Sequence, residues 1–288
     1  MRTFDYKTAF GRNLGWLTPS EQEALRGKRI AIAGLGGAGG VHLLTLARLG
    51  IGKFHVADLD QFDLVNFNRQ AGASMSSLGQ PKAQVMAGLA REINPELDIQ
   101  VFDEGVQAHN IDAFLDGVDL YVDGLDYFVF SARRLVYDAC RARRIPITFA
   151  VPLGMGAAVL NFLPDGPGFD EYFQLQGFPE EEWPTRFLVG LAPALLHRGY
   201  LVYPQIVDFK TQRVPSTGVA CQLCAGMAGT EALKILLGRG KVRAVPHSMQ
   251  FDAYTGKLKH TWRPGGNAHP MQRLAIAYVN WRLSRVKA

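Results

Sequence analysis

Only three cysteines, Cys140, Cys221 and Cys224, occur in 288 residues. That is too few for a disulfide framework and fits a reduced, cytoplasmic setting. The opening Met1-Arg2-Thr3-Phe4-Asp5-Tyr6-Lys7 holds no apolar run, so it is not read as a secretory leader. No stretch is expected to approach the length of an uninterrupted membrane-spanning helix, and no membrane partner is expected. The net charge of +5 is spread thinly apart from short clusters such as Arg141-Ala142-Arg143-Arg144, which reads as a helix edge. No stripe of Lys and Arg with interleaved aromatics marks a nucleic-acid face. Internal repeats and low-complexity tracts are also absent.

What is present is an alternation of short apolar runs and helical patterns. Thr18-Pro19-Ser20-Glu21 places a hydroxyl cap and a proline at a helix start. Arg29 to Ala33 reads as a buried parallel strand, a glycine-rich loop follows, and Val41 to Leu49 has a helical pattern. Lys53 to Ala57 is the next strand, and a helix from Pro81 to about Ile93 is closed by Asn94-Pro95. Strands are expected at 97–102, 118–122 and 146–150, with a helix at 131–143. This order predicts a Rossmann-like, mostly parallel sheet with helices on both faces.

Antiparallel strands are expected to continue that sheet through the C-terminal half. Residues 157–163 read as one strand and 165–184 as a long surface excursion. Thr217 to Leu237 is a helix, and 249–254 with 257–262 form a closing hairpin. The chain is therefore read as a single domain spanning 1–288. Residues 1–28 form a helical arm, 29–150 the nucleotide-binding half, and 151–288 the substrate and dimer half.

Gly34, Gly36 and Gly39 satisfy G-x-G-x-x-G between a strand and a helix, with Gly37 as a fourth glycine. Such a loop lets backbone approach phosphate, and the helix N-terminus behind it favours negative charge. Asp58 ends the next strand, where a carboxylate can hold ribose hydroxyls. To this point a nicotinamide dehydrogenase serves equally well. The segment Asp58-Leu59-Asp60 to Asn66-Phe67-Asn68-Arg69-Gln70, then Gly79-Gln80-Pro81-Lys82, breaks the tie. Arg69 and Lys82 are two fixed cations suited to a triphosphate and its pyrophosphate leaving group. Asn66 can hold an α-phosphate oxygen as charge builds there. Asp126 follows a strand end, where a carboxylate can hold Mg²⁺, with Asp123 as its helper; the alternative is that one of the two merely caps the following helix.

This ordered set resembles the ThiF/MoeB/HesA superfamily, bacterial relatives of ubiquitin-activating enzymes. The resemblance runs through Arg12-Asn13-Leu14-Gly15-Trp16, the GLGGAGG loop, DLDQFDLVNFNRQ, GQPKA and DGLD. It implies Mg-ATP-dependent adenylation of a carboxylate, most often the C-terminus of a small ubiquitin-like or sulfur-carrier protein, less often a peptide or a modified nucleoside. By the same resemblance Asp58 would hold ribose, and Asp60 and Gln70 would join the nucleotide site. Asn66, Arg69 and Lys82 would contact phosphates, and Asp126 would organise Mg²⁺. Arg12 would enter the neighbouring subunit's ATP site in a homodimer. No general base is needed, since a carboxylate is already ionised at neutral pH.

The sequence departs from the family in two places. Many relatives bind zinc with two C-x-x-C pairs, whereas here only Cys221 and Cys224 form one, so zinc is not expected unless His197, His247 or His260 complete the set. The crossover region at 165–200 has no cysteine to accept a thioester. Two buried thiols at a helix start is the plainer reading of Cys221 and Cys224. The Phe169 to Trp183 loop either covers the substrate channel or is solvated, and Tyr127 stands where many relatives have Asn. Three other readings remain: activation of a tRNA-bound carboxylate, an NAD-dependent oxidoreductase, and a non-catalytic scaffold.

Overall fold

Thr18 caps its helix as its neighbours dictate: its hydroxyl accepts from the Glu21 N–H, and the Glu21 carboxylate accepts from the Thr18 N–H at 2.8 Å. The computed structural model describes residues 3–286, so Met1 and Arg2 of the expected arm and Lys287 and Ala288 of the C-terminal half lie outside it. The arm comprises α1 (Tyr6–Phe10) and α2 (Pro19–Gly27). Then come β1 (Arg29–Ala33), α3 (Gly37–Arg48), β2 (Lys53–Ala57), α4 (Lys82–Ile93), β3 (Asp98–Phe102), α5 (Ile111–Leu115), β4 (Leu120–Asp123) and α6 (Phe130–Ala142). The helix after the glycine loop starts at Gly37 rather than Val41, so the loop's later glycines form its first turn.

The second half holds β5 (Ile147–Leu153), β6 (Gly156–Phe162), α7 (Phe169–Phe173), α8 (Trp183–Leu191), α9 (Gly218–Leu237), β7 (His247–Asp252), β8 (Lys257–Trp262) and α10 (Pro270–Val286). All eight strands form one sheet in the order β3-β2-β1-β4-β5-β6-β7-β8. Pairs from β3 to β5 are parallel, and those from β5 to β8 are antiparallel. The chain leaves β1 in one direction towards β2 and β3, and returns to β4 on the other side. That reversal opens a crevice at the carboxyl ends of β1 and β4.

Strand alternation sorts the core between the two faces of the sheet. Ile30 and Ile32 of β1 pack with Leu43, Leu46 and Met86 from α3 and α4. Ala31 and Ala33 face the other way, with Phe114, Tyr121, Tyr137 and Phe149. One expectation fails on composition: α9, at 20 residues and a mean hydropathy of 1.2, is long and apolar enough to cross a membrane. In this fold it packs against α3, β5 and β6. Its buried Glu231 accepts from Asn161 of β6 at 2.8 Å, as suits a helix laid on a sheet.

The expected surface excursion at 165–184 is corrected more sharply. Phe169, Tyr172 and Phe173 stand on one face of α7 and are almost fully buried in the core. Residues 165–168 contain no buried residue, and the stretch from Gln176 to Glu181, which enters the acidic turn at Glu180–Glu182, is exposed throughout. The segment is thus neither a channel cover nor a solvated loop along its length. Asn267 holds it in place, donating to the Phe173 and Arg186 carbonyls at 2.8 and 2.7 Å.

Candidate active site

The crevice at the ends of β1 and β4 is shaped by three interlocked glycines. Gly34 has φ +81°, and a Cβ there would lie 2.3 Å from the Gly124 carbonyl oxygen. A Cβ on Gly39 would come within 1.8 Å of the Gly34 oxygen. Backbone therefore packs on backbone, and α3 is drawn in behind the loop. Its N-cap, Gly36, offers no side chain to the first-turn N–H groups, which leaves those donors for an anion.

Around the loop the expected polar residues converge on one cleft of about 1340 Å³. Gly34, Gly36, Gly37, Asp58, Asp60, Arg69, Gln70, Lys82, Asp123 and Asp126 all line it. Asp58 accepts from the Leu35 N–H at 2.6 Å and the Asp60 N–H at 2.8 Å. Burial nevertheless raises its pKa, with those N–H bonds and Lys82 opposing. Lys82 is buried, and its Nζ lies 2.9 Å from Asp60 Oδ2. Arg69 donates to the Val65 carbonyl at 2.9 Å and to Asn68 Oδ1 at 3.0 Å, and it pairs with no carboxylate among the described residues. The Gln70 side chain is buried with its Oε1 unpartnered, an acceptor set in the cleft wall.

Asp123 and Asp126 divide their expected roles. Asp123 is wholly buried and its oxygens are occupied: Arg133 Nε donates at 2.8 Å, the Tyr137 hydroxyl at 3.0 Å and the Leu125 N–H at 2.9 Å. Asp126 is exposed, and its carboxylate accepts only a long 3.3 Å bond from the Phe128 N–H among the described contacts. Of the two, Asp126 has the coordination capacity a hard cation needs. The glycine cradle, the Gln70 acceptor and the Asp126 carboxylate together fit a magnesium-bound nucleotide.

Three expected residues lie off the cleft. Gly39 supports the loop from behind, as its close approach to Gly34 requires. Asn66 is buried in a short turn, with its Oδ1 accepting from the Asp63 N–H at 3.0 Å. Arg12 is exposed in the turn Gly11–Asn13 of the arm, beside Leu14 and Trp16, which are 44% and 84% exposed. Cys221 and Cys224 are buried in the first turns of α9, and burial pushes both thiols up in pKa. No three His, Cys, Asp or Glu side chains form a metal-binding group among the described residues. Of the three histidines weighed for zinc, His197 lines the cleft and His247 and His260 sit on the closing hairpin.

Sequence reasoning missed Arg133. It is fully buried, its Nη2 donates to the Leu125 and Asp126 carbonyls at 2.7 and 2.9 Å, and it fixes the loop that presents Asp126. A signal was available: Arg133, Val136, Tyr137 and Cys140 fall at helical spacing on the buried face of α6. Tyr127 also turns inward, donating to the Pro184 carbonyl and packing against Phe187.

Comparison with known proteins agrees with this geometry. Residues 10–273 match the model of the ThiF family. The SAMP-activating enzyme E1 of Haloferax volcanii is 29% identical over 77% of this chain and 72% of its own length. The tRNA threonylcarbamoyladenosine dehydratase of Haemophilus influenzae is 32% identical over 40% of this chain, and the match spans only 44% of that relative's length. Among solved structures, Escherichia coli MccB with MccA-N7isoASN superposes over 94% of this chain and 75% of its own, with a TM-score of 0.68 and 16% identity. At that identity the likeness speaks for the fold.

Proposed function

This chain belongs to the ThiF family, and from that premise we propose that it adenylates a substrate carboxylate with Mg-ATP. The observation that carries the reading is the convergence of Arg69, Lys82, Asp126 and the unpartnered Gln70 acceptor on the glycine cradle. A dinucleotide needs the cradle and Asp58 alone, which would leave Arg69, with no carboxylate partner among the described residues, and the open Asp126 carboxylate without a task. Adenylyltransferase and activating-enzyme names among the relatives support the same reading.

In the proposed reaction a substrate carboxylate oxygen attacks the α-phosphorus of ATP. The bond from that phosphorus to the oxygen bridging the β-phosphate breaks, releasing pyrophosphate and leaving an acyl-adenylate. Arg69 and Lys82 would neutralise charge on the phosphates, and Asp58 with Gln70 would hold the nucleoside. Asp126 would hold Mg²⁺, whose contribution is to offset phosphate charge. Little covalent chemistry falls to the protein, so positioning and charge neutralisation supply most of the acceleration. Exchange of labelled pyrophosphate into ATP in the presence of candidate carboxylates tests it. Exchange lost in Arg69→Ala would support the reading, and exchange unaffected by that change would sink it.

A homodimer is part of this proposal, with Arg12 acting across the interface. The exposed Leu14 and Trp16 beside it supply apolar surface for such a contact. The three free, buried cysteines suit a reducing, cytoplasmic setting, which cell fractionation would check. A second reading, activation of a tRNA-bound carboxylate, is favoured by the tRNA threonylcarbamoyladenosine dehydratases among the relatives. It requires tRNA affinity that falls steeply with salt.

A further inference from the structure

The cleft continues well past the nucleotide residues. At about 1340 Å³ it exceeds the range typical for one small ligand. The rest of its lining comes from the turn at 152–155 between β5 and β6, the segment 195–217, whose end returns to Asn68 beside Arg69, and the end of α10. That wall is built and fixed. The Met155 N–H donates to the Tyr200 hydroxyl at 2.7 Å, and that hydroxyl in turn donates to Asp252. The Tyr200 ring stacks on Tyr254 at 4.4 Å. Gly154 makes the approach possible, since a Cβ there would lie 2.3 Å from the Tyr200 oxygen. Farther along, Asp208 and Arg213 exchange two backbone hydrogen bonds of 2.8 Å and close the intervening loop.

The apolar lining begins beside the reacting region. Tyr127, next to Asp126, stacks on Phe209 at 6.1 Å, and Phe128 meets the same ring edge-on at 6.2 Å. Beyond them Leu201, Val202 and Val214 line the cleft while 39%, 95% and 38% exposed. Charge divides along the cleft as well. All four lining carboxylates, Asp58, Asp60, Asp123 and Asp126, belong to the nucleotide end. No carboxylate lines the rest of the cleft, since Asp208 and Asp252 in its wall accept hydrogen bonds from Thr211, Thr255 and Tyr200, and that part carries Arg198 and Arg282, both exposed and without an ion-pair partner among the described residues.

Resting on the adenylation reading above, we propose a class of substrate for this site. The activated carboxylate is borne by a polypeptide segment with bulky apolar side chains next to it and an acidic residue farther out, not by a bare Gly-Gly tail. A glycine tail offers nothing for Leu201, Val202, Phe209 and Val214 to cover, and no charge for the two arginines. A tRNA would bring many phosphates to a wall that is mostly hydrocarbon.

The test supplies Mg-ATP and a pool of synthetic peptides randomised over their last residues. Acyl-adenylates are trapped with hydroxylamine and the hydroxamates sequenced by mass spectrometry. Products enriched roughly tenfold in Leu, Ile or Phe over Gly beside the carboxylate are expected, because pocket filling by apolar groups discriminates on that scale. Val202→Asp, a change at an exposed position that should not disturb folding, should erase this enrichment. R198E with R282E should erase the preference for an acid, and Mg-ATP binding should survive all three changes. A preference for Gly, or no preference, would overturn the proposal. So would hydroxamate formed from tRNA alone, or none from any peptide while Mg-ATP binds. Failure to bind Mg-ATP at all would instead remove the adenylation reading beneath it.

Discussion

Arg133 and Asp123 form an ion pair of 2.8 Å in which neither side chain reaches solvent. The same guanidinium lies 4.9 Å from the Phe187 ring centroid and donates to two carbonyls of the Asp126 loop. One buried cation thereby ties the end of β4 and the candidate metal carboxylate to the substrate-side helix α8. Removing it strands a charge as well as loosening a loop. Arg133→Met should cost about 3–5 kcal/mol in urea unfolding, the usual penalty for an uncompensated buried charge. Combining it with Asp123→Asn should cost less than the sum of the two, with a coupling of roughly 1 kcal/mol or more.

His42 makes stability depend on acidity. Burial in α3 lowers its pKa to about 4, so the folded protein holds it neutral while the unfolded chain protonates near 6.5. Its contribution is present above the unfolded value and is lost as pH falls through that window towards about 4. The loss should approach roughly 3 kcal/mol, from about 1.4 per pH unit. Unfolding measured at pH 7.5 and pH 4.5 should show it, and His42→Leu should flatten the difference.

Cys221 and Cys224 should be inert. With both thiols buried and their pKa values pushed up, alkylation should require unfolding, and the Cys221→Ala, Cys224→Ala double variant should keep its pyrophosphate exchange. Loss of exchange in that variant with its stability intact would restore a thioester role.

Arg12 offers a test of the proposed dimer. Arg12→Ala and Asp126→Ala should each be inactive alone. Mixed and refolded together they should recover about a quarter of wild-type activity, since half the dimers would carry one complete site. Absence of recovery in a mixture shown to exchange subunits would place Arg12 outside its neighbour's site.

The nucleotide half was legible because its signals are local. β1 and β2 follow from apolar runs bounded by Gly and Asp, and the Thr18 cap from its spacing to Glu21. The C-terminal half was less so. The α7 helix is only five residues long within Gly- and Pro-rich sequence, and what buries it is tertiary: Asn267 reaching the Phe173 carbonyl from 94 residues away. The α10 helix escaped notice because its apolar and polar residues do not sort into a clear stripe, yet it delivers Tyr278 and Arg282 to the cleft. At the site, both strand-end carboxylates were read, Asp126 for Mg²⁺ and Asp123 as its helper, but the partner that occupies Asp123 was not. Nothing near Asp123 in sequence says that Arg133, ten residues on, will claim it rather than Asp126.

Calorimetric titration with Mg-ATP and, separately, with NAD tests the central claim most directly. Saturable Mg-dependent ATP binding is expected, roughly tenfold or more weaker in Arg69→Ala and Asp126→Ala, where a charge-assisted contact is lost, with no NAD binding. Binding of NAD that ignores both substitutions, with no heat from Mg-ATP, would contradict the account.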